Sequence, residues 1–517
     1  MKTIDMKNNV SIEDLLPPAT NNDTNDDSDN NDKFEFVSNH TKSMRCALTY
    51  CINSMLNNDT GTTNNILSKS FHRYNKQDDD DDDDMTATKQ LINDAFVYAT
   101  TATTATTERI LQETIPIVDT NNESMTPIQF RKEYLHANMP CLIRGLGTTY
   151  FSRIQEEWIT TTNDLEINIE WFRTHIGNHT LVPVTFQKQN RRIDTTNNHS
   201  DTADEECLTI PTPLYKWLDN NNNNHDVSSV PLRLDSTAYL KDWHLLQQFN
   251  NNHHHDDETI LPPPPKPLYT VPPFFQHDLL HSFCHDFIPH GDYQFVYWGP
   301  AGSKTLLHSD VLNSFSWSYN VIGEKRWTLV VPNTTTSSST TTTSTIVVHQ
   351  CAGETMFIPS TWKHEVENVV ETLSINHNWI TTANIHYTWD CLQTEMVAIQ
   401  NELQKWSSTM VGTTTYDEQV QERMLHGCTG MDVTMFFLLC MTSLLKIVMN
   451  QEQNPTWETY FDIFRLGSMM EKVIMDQELN LHYRLKAVLE SESQANEAIH
   501  IAQTLLNQIH DLQMRLI

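Results

Sequence analysis

Residues 315–332 read FSWSYNVIGEKRWTLVVP, and this stretch decides the fold class. Phe315, Trp317, Tyr319 and Val321 alternate strictly with Ser316, Ser318 and Asn320, the period of a strand with one apolar and one polar face. Gly323-Glu324 can turn the chain, and RWTLVVP (326–332) returns as a second strand. The same texture extends to both sides. YQFVYWGP (293–300) is β-rich and stops at Gly-Pro, and TMFIP (355–359) and TLSINHNWI (372–380) follow downstream. Short antiparallel strands punctuated by Pro and Gly predict a barrel or a double-sheet jelly roll.

Further out the pattern changes. Met125–Tyr134 predicts a helix with Thr126 as N-cap and Pro127 at its first position. PCLIRG (140–145) predicts a short strand entering a turn. Three low-complexity inserts, at Asn220–Asn224, at Asn250–Glu258 with Pro262–Pro265, and at Thr334–Thr345, mark surface loops, where such insertions cost little. The run His253–His255 lies in one of them, with nothing to fix its geometry for a metal. From Thr388 onward the sequence is helical: Leu392–Trp406, Met431–Met449, Trp457–Asp476 and Ala487–Met514 read as amphipathic helices, an accessory region or a homodimer element. Residues 1–114 hold an Asn/Asp tract around 21–32, seven consecutive aspartates (Asp78–Asp84) and a Thr/Ala-rich stretch near 99–107. Such segments bury too little apolar surface to offset their ordering entropy. The expected organisation is an unstructured acidic tail over 1–114, a folded α+β domain over 115–390, and a helical region over 391–517.

Composition narrows the function classes. The 517 residues carry 34 Lys+Arg against 66 Asp+Glu, a net charge of −32. That balance argues against a protein that tracks nucleic-acid phosphates and is compatible with a basic partner. Nine cysteines without a CxxC pair argue against a disulfide framework or a thiolate zinc site and for a reducing compartment. The first residues, MKTIDMKNNVSIEDLL, lack the apolar stretch of a signal peptide. Met435–Met449 is too short and too polar to span a bilayer and reads as a buried helix. The expectation is a protein without a membrane role, cytoplasmic by default, with the nucleus open.

The chemistry concentrates at His308-Ser309-Asp310 and a later His364. In an extended chain His308 and Asp310 share one face, with Ser309 on the other. Two imidazoles and one carboxylate can hold one face of Fe(II) and leave three positions open. With 24 histidines in the chain, an HxD pair alone is also compatible with ordinary surface or core residues, and His377 competes with His364 as the distal imidazole.

The surrounding text is more specific. GPAGSKTLLHSDVLNSFSWSYNVIGEKRWTLVVP (299–332) and AGETMFIPSTWKHEVENVVETLSINHNW (352–379) resemble the JmjC-domain 2-oxoglutarate oxygenases, and within them the Jumonji domain-containing protein 4 family. VPV (182–184), YLKDWHL (239–245) and DYQFVYWGPAG (292–302) extend the resemblance over roughly 115–390 as ordered blocks. It implies a cupin-type, double-stranded β-helix barrel with flanking helices. His308, Asp310 and His364 match the iron ligands, and Thr305 and Lys325 match the pair that binds the far carboxylate of 2-oxoglutarate. Asn378 stands where the family places an active-site asparagine, on the opposite strand face from His377. Ser318 stands where relatives often carry asparagine near the co-substrate. Tyr293, Tyr297, Trp298, Trp317 and Trp362 are candidates for a substrate pocket or for the core.

The resemblance further implies Fe(II), 2-oxoglutarate and O2, and hydroxylation of a protein side chain, a lysine of the eukaryotic peptide-chain release factor. Lysine demethylation on histones is the alternative within the same chemistry, although no Cys/His zinc cluster of a chromatin reader accompanies it. A non-catalytic cupin scaffold is the alternative of another class, and an intact triad speaks against it.

Overall fold

The computed structural model describes residues 27–57, 114–121, 125–160, 165–188, 207–220, 236–252, 266–289, 291–332, 344–409, 418–450, 456–477 and 479–516, with positions 90, 93 and 97. Asp78–Asp84, the stretch near 99–107, His253–His255 and most of the three inserts lie outside them. In chain order the strands are β1 (Ile117–Asp119), β2 (Cys141–Arg144), β3 (Ile159–Thr160), β4 (Glu166–Ile167), β5 (Leu181–Lys188), β6 (Cys207–Pro213), β7 (Ser236–Trp243) and β8 (Gln294–Gly299). There follow β9 (Lys304–His308), β10 (Phe315–Ile322), β11 (Lys325–Val330), β12 (Thr345–Gln350), β13 (Thr355–Ile358), β14 (Lys363–Asn368) and β15 (Thr372–Trp379).

The fold is mixed helix and sheet. Nine strands form one sheet in the order β1-β2-β13-β10-β15-β8-β7-β5-β6, four form a second in the order β12-β11-β14-β9, and β3 pairs with β4. From β8 to β15 the chain passes back and forth between the two larger sheets, with only the β11–β12 hairpin staying within one. β10 lies between β13 and β15, which puts Trp317 opposite both Phe357 and His377.

The alternation in β10 sorts its side chains as the sequence indicates. Phe315, Trp317, Tyr319 and Val321 join a core with Phe130, Phe151, Phe275, Phe357 and Trp379. Phe151 stacks on Tyr319 with centroids 3.9 Å apart, and Phe275 on Trp317 at 5.2 Å. Burial of each such ring contributes roughly 1.5–3 kcal/mol. Ser316 and Ser318 face the other way, into the cavity described below. Gly323 makes the turn into β11 at φ +92°, where a Cβ would also run into the Glu371 carbonyl and Thr372, so only glycine fits.

The helices used below are α1 (Asp27–Asn57), α2 (Pro127–Phe130), α3 (Leu279–Phe287), α4 (Ile385–Thr409), α5 (Glu418–Thr429), α6 (Val433–Met449), α7 (Trp457–Met475), α8 (Leu481–Leu489) and α9 (Glu492–Leu516). α2 starts as expected, with Thr126 and Gln129 forming a reciprocal capping box and Pro127 at the first turn. Its continuation, Arg131–Leu135, is a π-helical turn.

α6 is buried along almost its whole length, the core helix its composition indicated, and no single helix among the described residues is long and apolar enough to cross a membrane. α4 begins at Ile385, so the expected boundary at 390/391 falls inside a helix. The expected helix Ala487–Met514 is two helices, broken at Glu490 in the left-handed region (φ +51°). The apolar face of α9, including Ile501, Leu505 and Ile509, packs within the same chain.

The tail is corrected in one place. α1 lies inside 1–114, and Met44, Ala47, Leu48 and Cys51 are fully buried in the same core as α6 and α9. Their spacing of three, four and seven is a helical face, short enough to be hidden in polar surroundings. Arg45 adds two hydrogen bonds from its guanidinium to the Leu489 carbonyl, at 2.9 and 2.6 Å.

Candidate active site

β9 ends on His308, the turn after it supplies Asp310, and β14 supplies His364. His364 and His308 are register partners, with ring centroids 4.3 Å apart. Ligand atoms from the three side chains all lie within 4.8 Å of one another. His308 Nδ1 is 2.7 Å from the Leu306 carbonyl and His364 Nδ1 is 2.9 Å from the Trp362 carbonyl. A carbonyl can only accept, so each Nδ1 carries a proton and each Nε2 is the nitrogen left to face the shared point. Nε2 of His308 points toward Asp310 Oδ1 at 3.9 Å. Ser316 donates to the other carboxylate oxygen at 2.6 Å. Burial pushes the Asp310 carboxyl up, but His364 and His308, helped by hydrogen bonds from Ser316 and Asn378, hold it below the usual carboxylate range. Directly after Asp310 the backbone is strained: Leu312 and Asn313 sit at φ +58° and +47°.

The same cavity contains a buried cation. Its lining includes His308, Asp310, His364, Thr305, Ser318, Lys325 and Asn378, contributed by both large sheets. Lys325 is 1% exposed. Its Nζ donates to Ser318 Oγ at 3.1 Å and Ser374 Oγ at 2.6 Å and lies 5.8 Å from the ring centres of Tyr297 and Trp327. No carboxylate pairs with it among the described residues, and burial pushes its pKa down to about 7. Thr305 Oγ1 is buried beside the Tyr239 phenol without a hydrogen bond of ordinary geometry. A desolvated ammonium and an unsatisfied hydroxyl fit an incoming anion. Two imidazole lone pairs and a carboxylate fit a divalent transition metal. One end of the cavity thus offers donors suited to a metal and the other offers donors suited to an anion.

All seven residues singled out from the sequence meet in this cavity. His377 does not. It is buried on the opposite face of β15, bonded to the Tyr269 hydroxyl and packed on Trp317 with centroids 4.1 Å apart. Of the candidate aromatics, Tyr297 lines the cavity. Trp298 and Trp317 belong to one core and Trp362 to another, and Tyr293 packs against the helical core. Asn378 donates to Ser314 Oγ at 3.0 Å. The sequence reading missed Tyr239, Ser316, Trp327, Val366 and Asn376 as lining residues. All but Tyr239 had a signal, since each is two residues from a recognised member of its strand and shares its face.

No family model matches the chain. Among curated proteins it is similar to the 2-oxoglutarate and iron-dependent oxygenase JMJD4 of Gallus gallus, 30% identical over 353 residues, which are 63% of this chain and 72% of that protein. It is 26% identical to the arginine-specific demethylase JMJ20 of Arabidopsis thaliana over 62% of this chain and 68% of that protein. With the bifunctional arginine demethylase and lysyl-hydroxylase psr-1 of Caenorhabditis briggsae it shares 24% identity over 54% of this chain and 65% of that protein.

Proposed function

The chain belongs to the JMJD4 family of 2-oxoglutarate and iron-dependent oxygenases, and we propose that it hydroxylates a lysine side chain of a protein. The observation that carries this reading is the single cavity with a histidine–carboxylate cluster at one end and an unpaired buried lysine at the other. The passage of strands between two sheets supports reading the core as the double-stranded β-helix of such enzymes.

In this reading His308, Asp310 and His364 hold the iron. Bound iron and 2-oxoglutarate supply the oxidation of a C–H bond to C–OH with O2, the co-substrate leaving as succinate and carbon dioxide. The residues of the chain do the positioning. The Leu306 and Trp362 carbonyls keep both imidazoles in one tautomer, and Ser316 fixes the Asp310 carboxylate. Lys325 exchanges its serine partners for the far carboxylate of the co-substrate, and Thr305 donates a second hydrogen bond to it. Ser318 and Asn378, on the β10–β15 side of the cavity, border the co-substrate. Tyr239, Tyr297 and Trp327 exclude water from the ammonium, which strengthens the ion pair.

The lysine reading draws support from the lysyl-hydroxylase in the name of the nematode relative. The release-factor lysine is the substrate to which the family resemblance points, and a cytoplasmic location belongs with it. Arginine demethylation is the second reading, favoured by the names of the plant and nematode relatives. Oxygen-dependent succinate release is measured with release-factor and methylarginine peptides, followed by mass analysis. A lysine product one oxygen heavier, lost in His308→Ala and Lys325→Ala, supports the proposal. A methylarginine peptide that loses a methyl group while lysine stays unchanged replaces it with the second reading.

A further inference from the structure

A second group of two imidazoles and a carboxylate lies well away in sequence from the first. His40 comes from α1, His426 from α5, and Asp432 is the N-cap of α6. Their ligand atoms also lie within 4.8 Å of one another. His40 Nε2 is 2.6 Å from Asp432 Oδ2, His426 Nδ1 is 3.6 Å from the same oxygen, and the two rings are 4.5 Å apart. Asp432 is 1% exposed, whereas the imidazoles are 14% and 18% exposed, so solvent reaches the group from the imidazole side. The carboxylate is held in place: Oδ1 accepts the Met435 N–H at 2.7 Å, and Oδ2 is left to the two rings.

We propose that His40, His426 and Asp432 form a metal site of their own, taking a divalent ion of the zinc class and fastening α1 to the helical core. Two nitrogens and one oxygen suit such an ion, whereas calcium and magnesium require mostly oxygen donors. Glu422 is not the fourth ligand, since it is committed to Arg484 at 2.5 Å and to the Thr434 N–H at 3.2 Å. Water completes the coordination. The N-cap hydrogen bond orients the carboxylate, as groups behind metal ligands commonly do. Without metal, a proton shared between His40 and Asp432 occupies the position of the ion. Metal entry requires their separation to widen by roughly half an ångström to reach ligand distances near 2 Å. His40 and Asp432 are 392 residues apart, so the unfolded chain presents no such site and the ion stabilises only the folded state.

The test uses zinc alone and full-length protein carrying His308→Ala and His364→Ala, which disables the first cluster. Zinc content after gel filtration and the zinc-dependent shift in Tm are measured with and without His426→Ala. The proposal expects one zinc equivalent, and a Tm rise of several degrees, to be lost with His426. His40→Gln serves as a second variant, able to keep a hydrogen bond to Asp432, and circular dichroism establishes that each variant is folded. Equal zinc content and equal Tm shifts with and without His426 and His40 overturn it, as does a parent that retains no zinc. The outcome does not depend on the reaction proposed above.

Discussion

His364 stands opposite His308 across the β14–β9 pair, and each imidazole directs Nδ1 at the carbonyl two residues earlier in the chain. Both rings therefore present Nε2 to the same point without relying on metal to choose the tautomer. Asp310 needs separate help, because its segment leaves the strand through two left-handed residues. Ser316 provides it, at 2.6 Å. Ser316→Ala is expected to weaken Fe(II) binding by about 10–100-fold while leaving the fold intact, whereas His364→Ala abolishes binding. Anaerobic titration of Fe(II) into each variant checks both statements. Wild-type affinity in Ser316→Ala would show that the hydroxyl does not orient the carboxylate.

On the proposed role of Lys325, co-substrate binding should depend on pH. Its folded-state pKa is about 7 against an ordinary 10.5, and burial is the cause. The anion binds the ammonium form, so above about pH 7 each bound 2-oxoglutarate brings a proton with it. The apparent Kd should rise by up to about tenfold per pH unit there and level off below. Calorimetry at several pH values, in buffers of different ionisation enthalpy, reads both the slope and the proton. A Kd flat from pH 6.5 to 9 would mean that Lys325 is charged throughout.

The same shift bears on stability. Between about pH 7 and 10.5 the unfolded chain keeps a proton that the folded chain has released, so the Lys325 contribution rises with pH across that window. Below pH 7 the full cost of burying the charge applies. Lys325→Met should therefore stabilise the ligand-free protein at pH 6–7, by roughly 3–5 kcal/mol if the whole shift is realised, and should give little benefit above pH 10.5. Urea denaturation at the two extremes decides it. A destabilised Lys325→Met protein at pH 6 contradicts the reading.

The two-sheet core was readable because alternate residues of β10 are apolar and polar, so its eight residues announce their register. The cavity residues followed because His308, Asp310, Lys325 and His364 lie in short blocks whose spacing survives the inserts. Lys325 was harder. Taken alone it reads as a hairpin lysine, and its depth depends on β10 and β15, whose serines receive its protons. Tyr239 could not be placed, since it comes from β7, and its arrival at Thr305 depends on the whole sheet order. α1 was missed for the opposite reason: a short apolar face carries its docking, and the surrounding composition outweighs it.

α1 should be a stabilising element. Leu48 is 1% exposed within the helical core, and Leu48→Ala is expected to cost about 2–5 kcal/mol through lost burial and the cavity left behind. Hydrogen exchange should show loss of protection in 41–57 before the rest of the core. An unchanged denaturation midpoint together with unchanged exchange in this segment would place α1 outside the folded unit.

Arg131 and Asp462 join the segment after α2 to α7 through a buried ion pair, which Thr382 shares by donating to Asp462 Oδ1. Their side chains are only 10% and 11% exposed, and the guanidinium also lies 5.5 Å from the Phe461 ring centre. Desolvating two charges consumes most of their attraction, so the intact pair gives little net stability, but removing one partner strands the other. Asp462→Ala should cost about 3–5 kcal/mol, whereas Arg131→Met combined with Asp462→Leu should recover most of that loss. A double-mutant cycle by urea denaturation measures the coupling. If the two single changes and the double change add within about 0.5 kcal/mol, the pair does not act as a unit.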